Sequence, residues 1–261
     1  ELMMKVVQIV MAFAPYGVFC LIAKTFTEQG IGLFIPVMAY VGVLVAALLL
    51  HLFVTLMLFL KLLSGLDPFT FMKKIRPAQI FAFSTASSNA TIPVTLRCVT
   101  ERMGVNNSVA SFTVPFGATI NMDGTAIMQG VATVFLANVY GIDLGLGGYI
   151  TVIAMAVLAS IGTAGVPGVG LVILTMVLGQ VGLPIEGIAL ILGVDRLMDM
   201  IRTAVNITGD AVVSTIVAKT EGQVDMAVYL DPNAGVLTGD DLHIDEAAEH
   251  ILADAAHKPA E

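Results

Sequence analysis

The sequence predicts an all-α integral membrane fold, an inverted-repeat core with two re-entrant helical hairpins and two broken transmembrane helices, preceded by two transmembrane helices. Three observations predict it. The chain is 57% hydrophobic and only 12% charged, with mean hydropathy +0.92, whereas soluble domains carry about 25% charged residues. Two apolar stretches are broken at their centres by Ser, Asn, Gly and Pro, in STASSNATIP and ASIGTAGVPGVG. Finally, the apolar segment Leu183–Lys219 carries Asp195, Arg196, Asp199, Arg202, Asn206 and Asp210. A charge at mid-bilayer costs about 2.5–3.5 kcal/mol on insertion scales, so such charges mark function.

The elements follow in order. Apolar runs over about 2–26, interrupted by Pro15 and Gly17, and about 31–63 are each long enough to cross a bilayer. The link DPFTFMKKIRP carries Lys73, Lys74 and Arg76, and RCVTERMGVNN carries Arg97 and Arg102. The positive-inside rule places both links on the cytoplasmic side. Residues 79–99 between them must therefore enter and return, a re-entrant hairpin with its tip at Ser87–Pro93. Irregular backbone at that depth is tolerated only where it lines a protein or aqueous cavity. Residues 108–140 can span, but NMDGT at 121–125 places a carboxylate at mid-depth and predicts local unwinding. Residues 144–181, broken by four glycines and a proline, form a second hairpin from the outside. The charged helix follows and ends inside at Lys219. Hairpin then helix thus occurs twice from opposite sides, and such paired interruptions point to a binding site at an inverted-repeat interface.

Within the charged helix, Asp195, Asp199, Arg202, Asn206 and Asp210 are spaced 4, 3, 4 and 4 apart. They fall within an arc of about 80° and form a stripe about 22 Å long. Even with Arg196 beside it, three acids against two bases leave it unbalanced, which argues against a purely structural ion-pair stripe. Counting Asp123 and Arg196, the buried groups sum to two net negative charges. An uncompensated buried carboxylate takes a proton or binds a cation. The neighbouring donors are hard oxygens of Asp123, Asp210, Asn121, Asn206, Thr119, Thr125 and Thr163, with no His or Cys, which suits an alkali cation rather than zinc or copper. The Arg202 fork pairs two-pronged with a carboxylate, Asp199 can hold an ammonium, and free N–H groups at the hairpin tips can take a second carboxylate. Together they describe a pocket for an acidic amino acid. Asp199 and Arg202 can also pair with each other at i, i+3, which does not exclude that reading.

Cys20 and Cys98 give no disulfide framework or metal pair. The net charge of −8 is uneven: residues 1–219 hold eleven Lys/Arg and ten Asp/Glu, whereas 220–261 hold one Lys and ten acids. The tail reads as a polar loop and an acidic helix with Ile244, Ala248, Ile251, Leu252 and Ala255 on one face; His243, His250 and His257, every seventh residue, read as a solvated face. Its charge would repel anionic lipid. His51, alone in the second run, reads as a packing or interfacial residue rather than a proton relay. Glu1 opens directly into a helical pattern with no signal peptide visible, so the chain is expected to be a piece of a longer protein.

At FAPYGVF, SSNATIPVT, GATINMDGTA, ASIGTAGVPG and DRLMDMIRTAVNITGD, in that order over about residues 5–222, the chain resembles the dicarboxylate/amino acid:cation symporter family, the glutamate transporter fold. The resemblance implies that residues 1–63 are the family's fifth and sixth helices, 64–222 the transport core (hairpin one, helix seven, hairpin two, helix eight), and 223–261 an acidic cytoplasmic tail. By resemblance, Ser88, Thr125, Val166, Gly170, Asp199, Arg202, Thr203 and Asn206 line the substrate site. Gly117, Asn121, Asn206 and Asp210 form one sodium site; Thr119, Ser160, Ile161 and Thr163 a second, at hairpin two; Asn121, Asp123 and Thr125 contribute to a third. The first four family helices, with much of the trimerisation scaffold, are absent from this sequence. Many members carry a further arginine where this chain has Ala86 or Met200.

The expected function is therefore secondary active transport. The chain reads as part of a sodium-coupled symporter of aspartate or glutamate, working as a homotrimer by an elevator movement with hairpin two as outer gate. It is expected to cross the cell membrane (plasma or inner) several times, with no organic cofactor, no nucleic-acid partner and no enzyme activity. A C4-dicarboxylate substrate is an alternative, though Asp199 would then have no ammonium to hold, and coupling to H+ is another. An intramembrane aspartyl protease is a remote alternative, since Ile207 stands where a GxGD signature needs glycine.

Overall fold

The computed structural model describes residues 34–236 continuously, together with a few single positions before them. Most of the first apolar run (2–26) and the tail segment expected to form an acidic helix with three histidines lie outside the described residues. What is described is helical, with one isolated antiparallel bridge between Val105 and Val224.

Helix α1 spans Phe34–Ser64 and is, among the described residues, the helix long and apolar enough to cross a membrane. Its outer face exposes Ile35, Leu50 and Leu62, and such a surface is stable only against lipid or further protein. A π-type turn, His51–Leu56, interrupts it, with His51 as its first residue. Gly65 in the left-handed region (φ 71°) closes the helix.

Helix α2, Pro68–Thr85, starts on an Asp67 cap, whose carboxylate accepts from the Thr70 amide and hydroxyl at 2.7 Å each. These bonds hold the Asp67 carboxyl below its usual range, the Thr70 hydroxyl contributing most. Proline at the first helical position suits the same start. Asp67→Ala is expected to cost about 1 kcal/mol of stability, the ordinary worth of such a cap. Because the folded-state pKa is depressed, the ionised cap's extra contribution is present above the free carboxylate range. It is lost as pH falls through the folded value. Thermal melts of both proteins at neutral and acid pH check this: the gap should narrow in acid.

The α2 helix ends at Ala86, the non-glycine residue described in the left-handed region (φ 51°). Ser87 then caps α3, Ser88–Arg97, through its hydroxyl and the Ala90 amide. The two helices pack on each other as a hairpin. Its turn is therefore Ala86–Ser87, not Ser87–Pro93, and its first arm begins at Pro68 rather than Gln79. Pro93 lies inside α3 and Pro77 inside α2; a proline six residues into a helix capped by serine bends it without ending it. A second π-type turn, Cys98–Arg102, completes the arm.

Helices α4, Asn107–Ile120, and α5, Asp123–Val139, are one apolar stretch broken at Asn121–Met122, both in non-helical backbone, as NMDGT predicts. After the loop at 140–144 come α6, Gly145–Ser160, and α7, Val169–Gln180. The turn between them relies on Gly162 and Gly168, at φ 83° and 81°.

The charged segment is α8, Ile188–Thr220, entered through a single 3-10 turn, Ile185–Gly187. It runs unbroken, so the expectation of a second broken helix is corrected. No proline lies inside it and Gly193 and Gly209 stay helical; the Thr203, Thr208 and Thr215 hydroxyls donate to carbonyls one turn back in α8 itself, while Asp199 and Asn206 accept amides from other elements. Its face bearing Met198, Val205, Ile207, Ala211 and Val212 joins the apolar core, and it packs against α1, α2, α4 and α5. A short helix α9, Met226–Leu230, follows, capped by Asp225.

Candidate functional site

The stripe predicted on α8 is real and interior. Asp195, Asp199, Arg202, Asn206 and Asp210 are all buried, at 2–6% exposure, whereas Arg196 is exposed. Burial of this kind is tolerated only with partners: Arg202 meets Asp195 and Asp199 on α8 itself, while Asp199, Asn206 and Asp210 also meet groups at the interruptions described above.

One cavity lies where the α2–α3 turn, the α4–α5 break, the α6–α7 turn and α8 meet. Ser88, Thr125, Val166, Gly170, Asp199, Arg202, Thr203 and Asn206, the eight residues expected to line a substrate site, all line it, with Ala86, Met122 and Thr163. Arg202 sits at its centre. One Nη2–H donates to Asp199 Oδ1 at 2.6 Å, and Nη1 lies 3.7 Å from Asp195 Oδ1. The internal Asp199–Arg202 pair thus forms. The second oxygen of Asp199 accepts the Gly168 amide at 2.9 Å, so this carboxylate ties the guanidinium to the turn of the second hairpin. Gly170 leaves room for the arginine: a Cβ there would lie 3.0–3.1 Å from the guanidinium. The Gly165 carbonyl accepts the Ser87 hydroxyl at 2.7 Å and the Asn89 amide at 3.1 Å, so the two hairpin turns touch tip to tip. With these contacts made, the cavity holds about 20 Å³, room for a single water. A larger guest requires one hairpin turn to swing away. The larger cleft of about 710 Å³ between α1 and α5 is lined mainly by apolar side chains and offers no such polar set.

A second cluster lies along α8 beside the α4–α5 break. Asn121 Nδ2 donates to Asp210 Oδ1 at 3.0 Å and approaches the Asn206 carbonyl at 3.5 Å. A Cβ on Gly117 would lie 2.6 Å from the same Asp210 oxygen. Gly117, Asn121, Asn206 and Asp210 are therefore gathered, and all offer oxygen. The Asn206 amide oxygen accepts the Gly124 N–H at 2.7 Å, which caps α5 across the break. A third group forms at the second hairpin: the Gly162 amide donates to the Thr119 carbonyl at 3.1 Å, Thr163 N to Ser160 O at 3.2 Å, and Ser160 and Thr163 are buried beside Ile161. The remaining expected set is split. Thr125 faces the central cavity, whereas Asp123 Oδ2 lies 2.9 Å from His51 Nε2 on the opposite side of α5. Two residues apart on a helix, they point about 200° apart.

His51 is the polar partner that sequence reasoning assigned to packing or the interface; the π-type turn that begins at it leaves no signature in residue types. Asn89 and Gly165, which join the two turns, were also missed, though their place inside SSNATIP and GTAGVPG marked the region. Among the described residues no cluster of three or more His, Cys, Asp or Glu is arranged to hold a metal. The donors are amides, carbonyls, hydroxyls and single carboxylates, a set that fits a weakly bound alkali cation.

Residues 1–220 match the sodium:dicarboxylate symporter family. The chain is 42% identical over 219 residues to an excitatory amino acid transporter of Caenorhabditis elegans, covering 83% of this chain and 44% of that protein. It is 40% identical over 225 residues to a proton/sodium-glutamate symport protein of Bacillus subtilis, covering 86% and 52%. It is 43% identical over 217 residues to human excitatory amino acid transporter 3, covering 83% and 41%. The chain thus spans about half the length of the curated relatives it matches. With that match running through every interruption that builds the cavity, the chain belongs to the sodium:dicarboxylate symporter family.

Proposed function

We propose that this chain is the substrate- and ion-binding half of a cation-coupled symporter of acidic amino acids in the cell membrane. The observation that carries it is a buried Arg202 beside two carboxylates, at the meeting point of two hairpin turns and a broken helix. The guanidinium takes the side-chain carboxylate of aspartate or glutamate two-pronged. Asp199 takes the ammonium, exchanging its bond to Arg202 for one to the substrate. Backbone N–H groups and Ser88 at the hairpin turns take the other carboxylate. Gly117, Asn121, Asn206 and Asp210, and separately Thr119 with residues 160–163, supply oxygen donors for sodium, the cation carried with the substrate.

Coupling follows from the same contacts. Gly168 N holds the second hairpin shut through Asp199, and Gly162 N holds it through Thr119. Substrate at the first point and a cation at the second decide together whether that turn closes. Residues 1–63 act as two preceding membrane helices, 64–222 as the transport core with both hairpins re-entrant, and the tail after 223 faces the cytoplasm beside the basic links. By family resemblance the whole protein works as a trimer, with the core sliding across the bilayer. The C. elegans and human relatives are named as amino acid transporters, which favours an amino acid over a C4-dicarboxylate. No observation supports an intramembrane protease.

The deciding experiment is isotope uptake by the full-length protein in proteoliposomes. Replacing external sodium by choline at constant pH is expected to reduce aspartate and glutamate uptake to background. Undiminished uptake driven by a pH gradient without sodium would assign the coupling to protons, a choice the Bacillus relative's name leaves open.

A further inference from the structure

The segment after α8 is fastened to both ends of the first hairpin. Lys74, on the first arm, is buried, at 2% exposure. Its ammonium donates to three backbone carbonyls: Arg102, at the end of the second arm, and Val228 and Asp231, both at 2.8 Å. A buried ammonium has three donors and must satisfy them. Here it does so entirely on carbonyls, two of which lie at the C-terminal end of α9, where helix carbonyls are otherwise unpaired. The Tyr229 ring centre lies 5.8 Å from the ammonium, within cation–π range. Tyr229 is itself buried and donates its hydroxyl to the Asp67 carbonyl, at the start of α2, at 3.0 Å. Burial first, and then the charge of the Asp67 carboxylate, push the Tyr229 hydroxyl pKa up.

The other end of the segment pairs with the link after the second arm. The Asn106 amide donates to the Gln223 carbonyl at 3.0 Å and the Asp225 amide to the Gly104 carbonyl at 2.8 Å, around the Val105–Val224 bridge. Gly104 is in the left-handed region (φ 72°), and any Cβ there would collide with the Asp225 carbonyl. The Asp225 carboxylate caps α9 through the Ala227 amide at 2.8 Å, which sets that helix at the height of Lys74. Residues 223–231 therefore touch the first arm, the second arm and the end of α8 at once. The second hairpin has no equivalent: among the described residues, no side-chain hydrogen bond ties the start of α6 or the end of α7 to another element.

We propose that residues 223–231 are a strap that locks the base of the first hairpin to α8, with the Lys74 ammonium as its fastening. The first hairpin and α8 then shift only as one body, while the second hairpin keeps the freedom to swing. The strap is independent of what the cavity binds, and its test needs no transport.

The test is hydrogen-exchange mass spectrometry on the full-length protein in lipid nanodiscs, comparing wild type with Lys74→Met, Tyr229→Phe and, as a control, the exposed neighbour Lys73→Met. Lys74→Met is expected to speed exchange about tenfold or more at 99–106 and 223–231 together, for loss of a buried charge-assisted fastening. Tyr229→Phe is expected to give a smaller rise in the same two stretches, and Lys73→Met none. Exchange in α5, α8 and the 160–170 turn should not change. A rise confined to 223–231, leaving 99–106 as in wild type, would show a tail that merely rests on the hairpin and overturn the strap. A rise spread evenly over α5 and α8 in Tyr229→Phe would overturn it as well, by showing general loosening. If Lys74→Met does not accumulate, Tyr229→Phe alone decides: no rise at 99–106 refutes the proposal.

Discussion

Arg202→Lys in the full-length protein is expected to cut aspartate and glutamate uptake about a hundredfold, with the protein still present in the membrane. Two charge-assisted hydrogen bonds from a planar fork become one from a point charge, and a bond to a charged group is worth about 1.5–3 kcal/mol. At about 1.4 kcal/mol per tenfold, that reaches the stated loss. The lysine variant is the informative one because it keeps a positive charge beside Asp195 and Asp199, which stand 3.7 and 2.6 Å from the guanidinium. Arg202→Ala should abolish acidic substrate uptake outright, but it leaves both buried carboxylates without their partner, a change worth about 3–5 kcal/mol in stability. The measurements are initial uptake rates beside membrane abundance, and a thermal melt with and without substrate. Arg202→Lys should lose the melting shift given by aspartate while retaining that given by sodium. Uptake at wild-type affinity in this variant would remove the guanidinium from the substrate site.

What the sequence made legible was the set of places where helices could not continue as plain apolar cylinders. NMDGT announced the break at Asn121–Met122 because a carboxylate, an amide and a glycine in an apolar stretch leave the backbone other partners. ASIGTAGVPGVG announced the α6–α7 turn because Gly162 and Gly168 are needed at positive φ. The spacing of the α8 stripe was legible for an elementary reason: helical periodicity is fixed, so one face could be counted out residue by residue. The eight cavity residues were reached through resemblance, and the structure gathers them. Elsewhere the structure departs from the reading, each time for a local reason. The first turn was placed at Ser87–Pro93 from the polar run STASSNATIP between two basic links, yet Ala86 takes the left-handed cap and Ser87 caps the next helix. Resemblance put Asp123 and Thr125 in one site, yet helix geometry points them to opposite sides of α5. His51 meets Asp123 from the first position of a π-type turn, and nothing in residue types forecasts such a turn.

Asp210→Asn is expected to raise the sodium concentration for half-maximal uptake about ten- to hundredfold, with a smaller effect on substrate affinity at saturating sodium. The substitution preserves shape and removes one charge-assisted contact, about 1.5–3 kcal/mol. The Asp210 carboxylate is the formal charge in its cluster, facing the Asn121 amide and the Gly117 backbone; its other named members, Asn206 among them, are neutral. Losing it should therefore act on the cation first. The Asp123→Asn variant provides the contrast. Its carboxylate faces His51, away from the central cavity, so an equal effect at both positions would mean that one cation contacts both carboxylates through the α4–α5 break. The measurement is uptake against sodium concentration at fixed ionic strength, with choline as the replacing ion. A half-maximal sodium concentration identical to wild type in Asp210→Asn, with only the maximal rate reduced, would make Asp210 a structural partner of Asn121 and move the cation to the Thr119 and 160–163 group. The two results assign the negative charge of α8 differently: to a carried ion in the first case, to holding a broken helix together in the second.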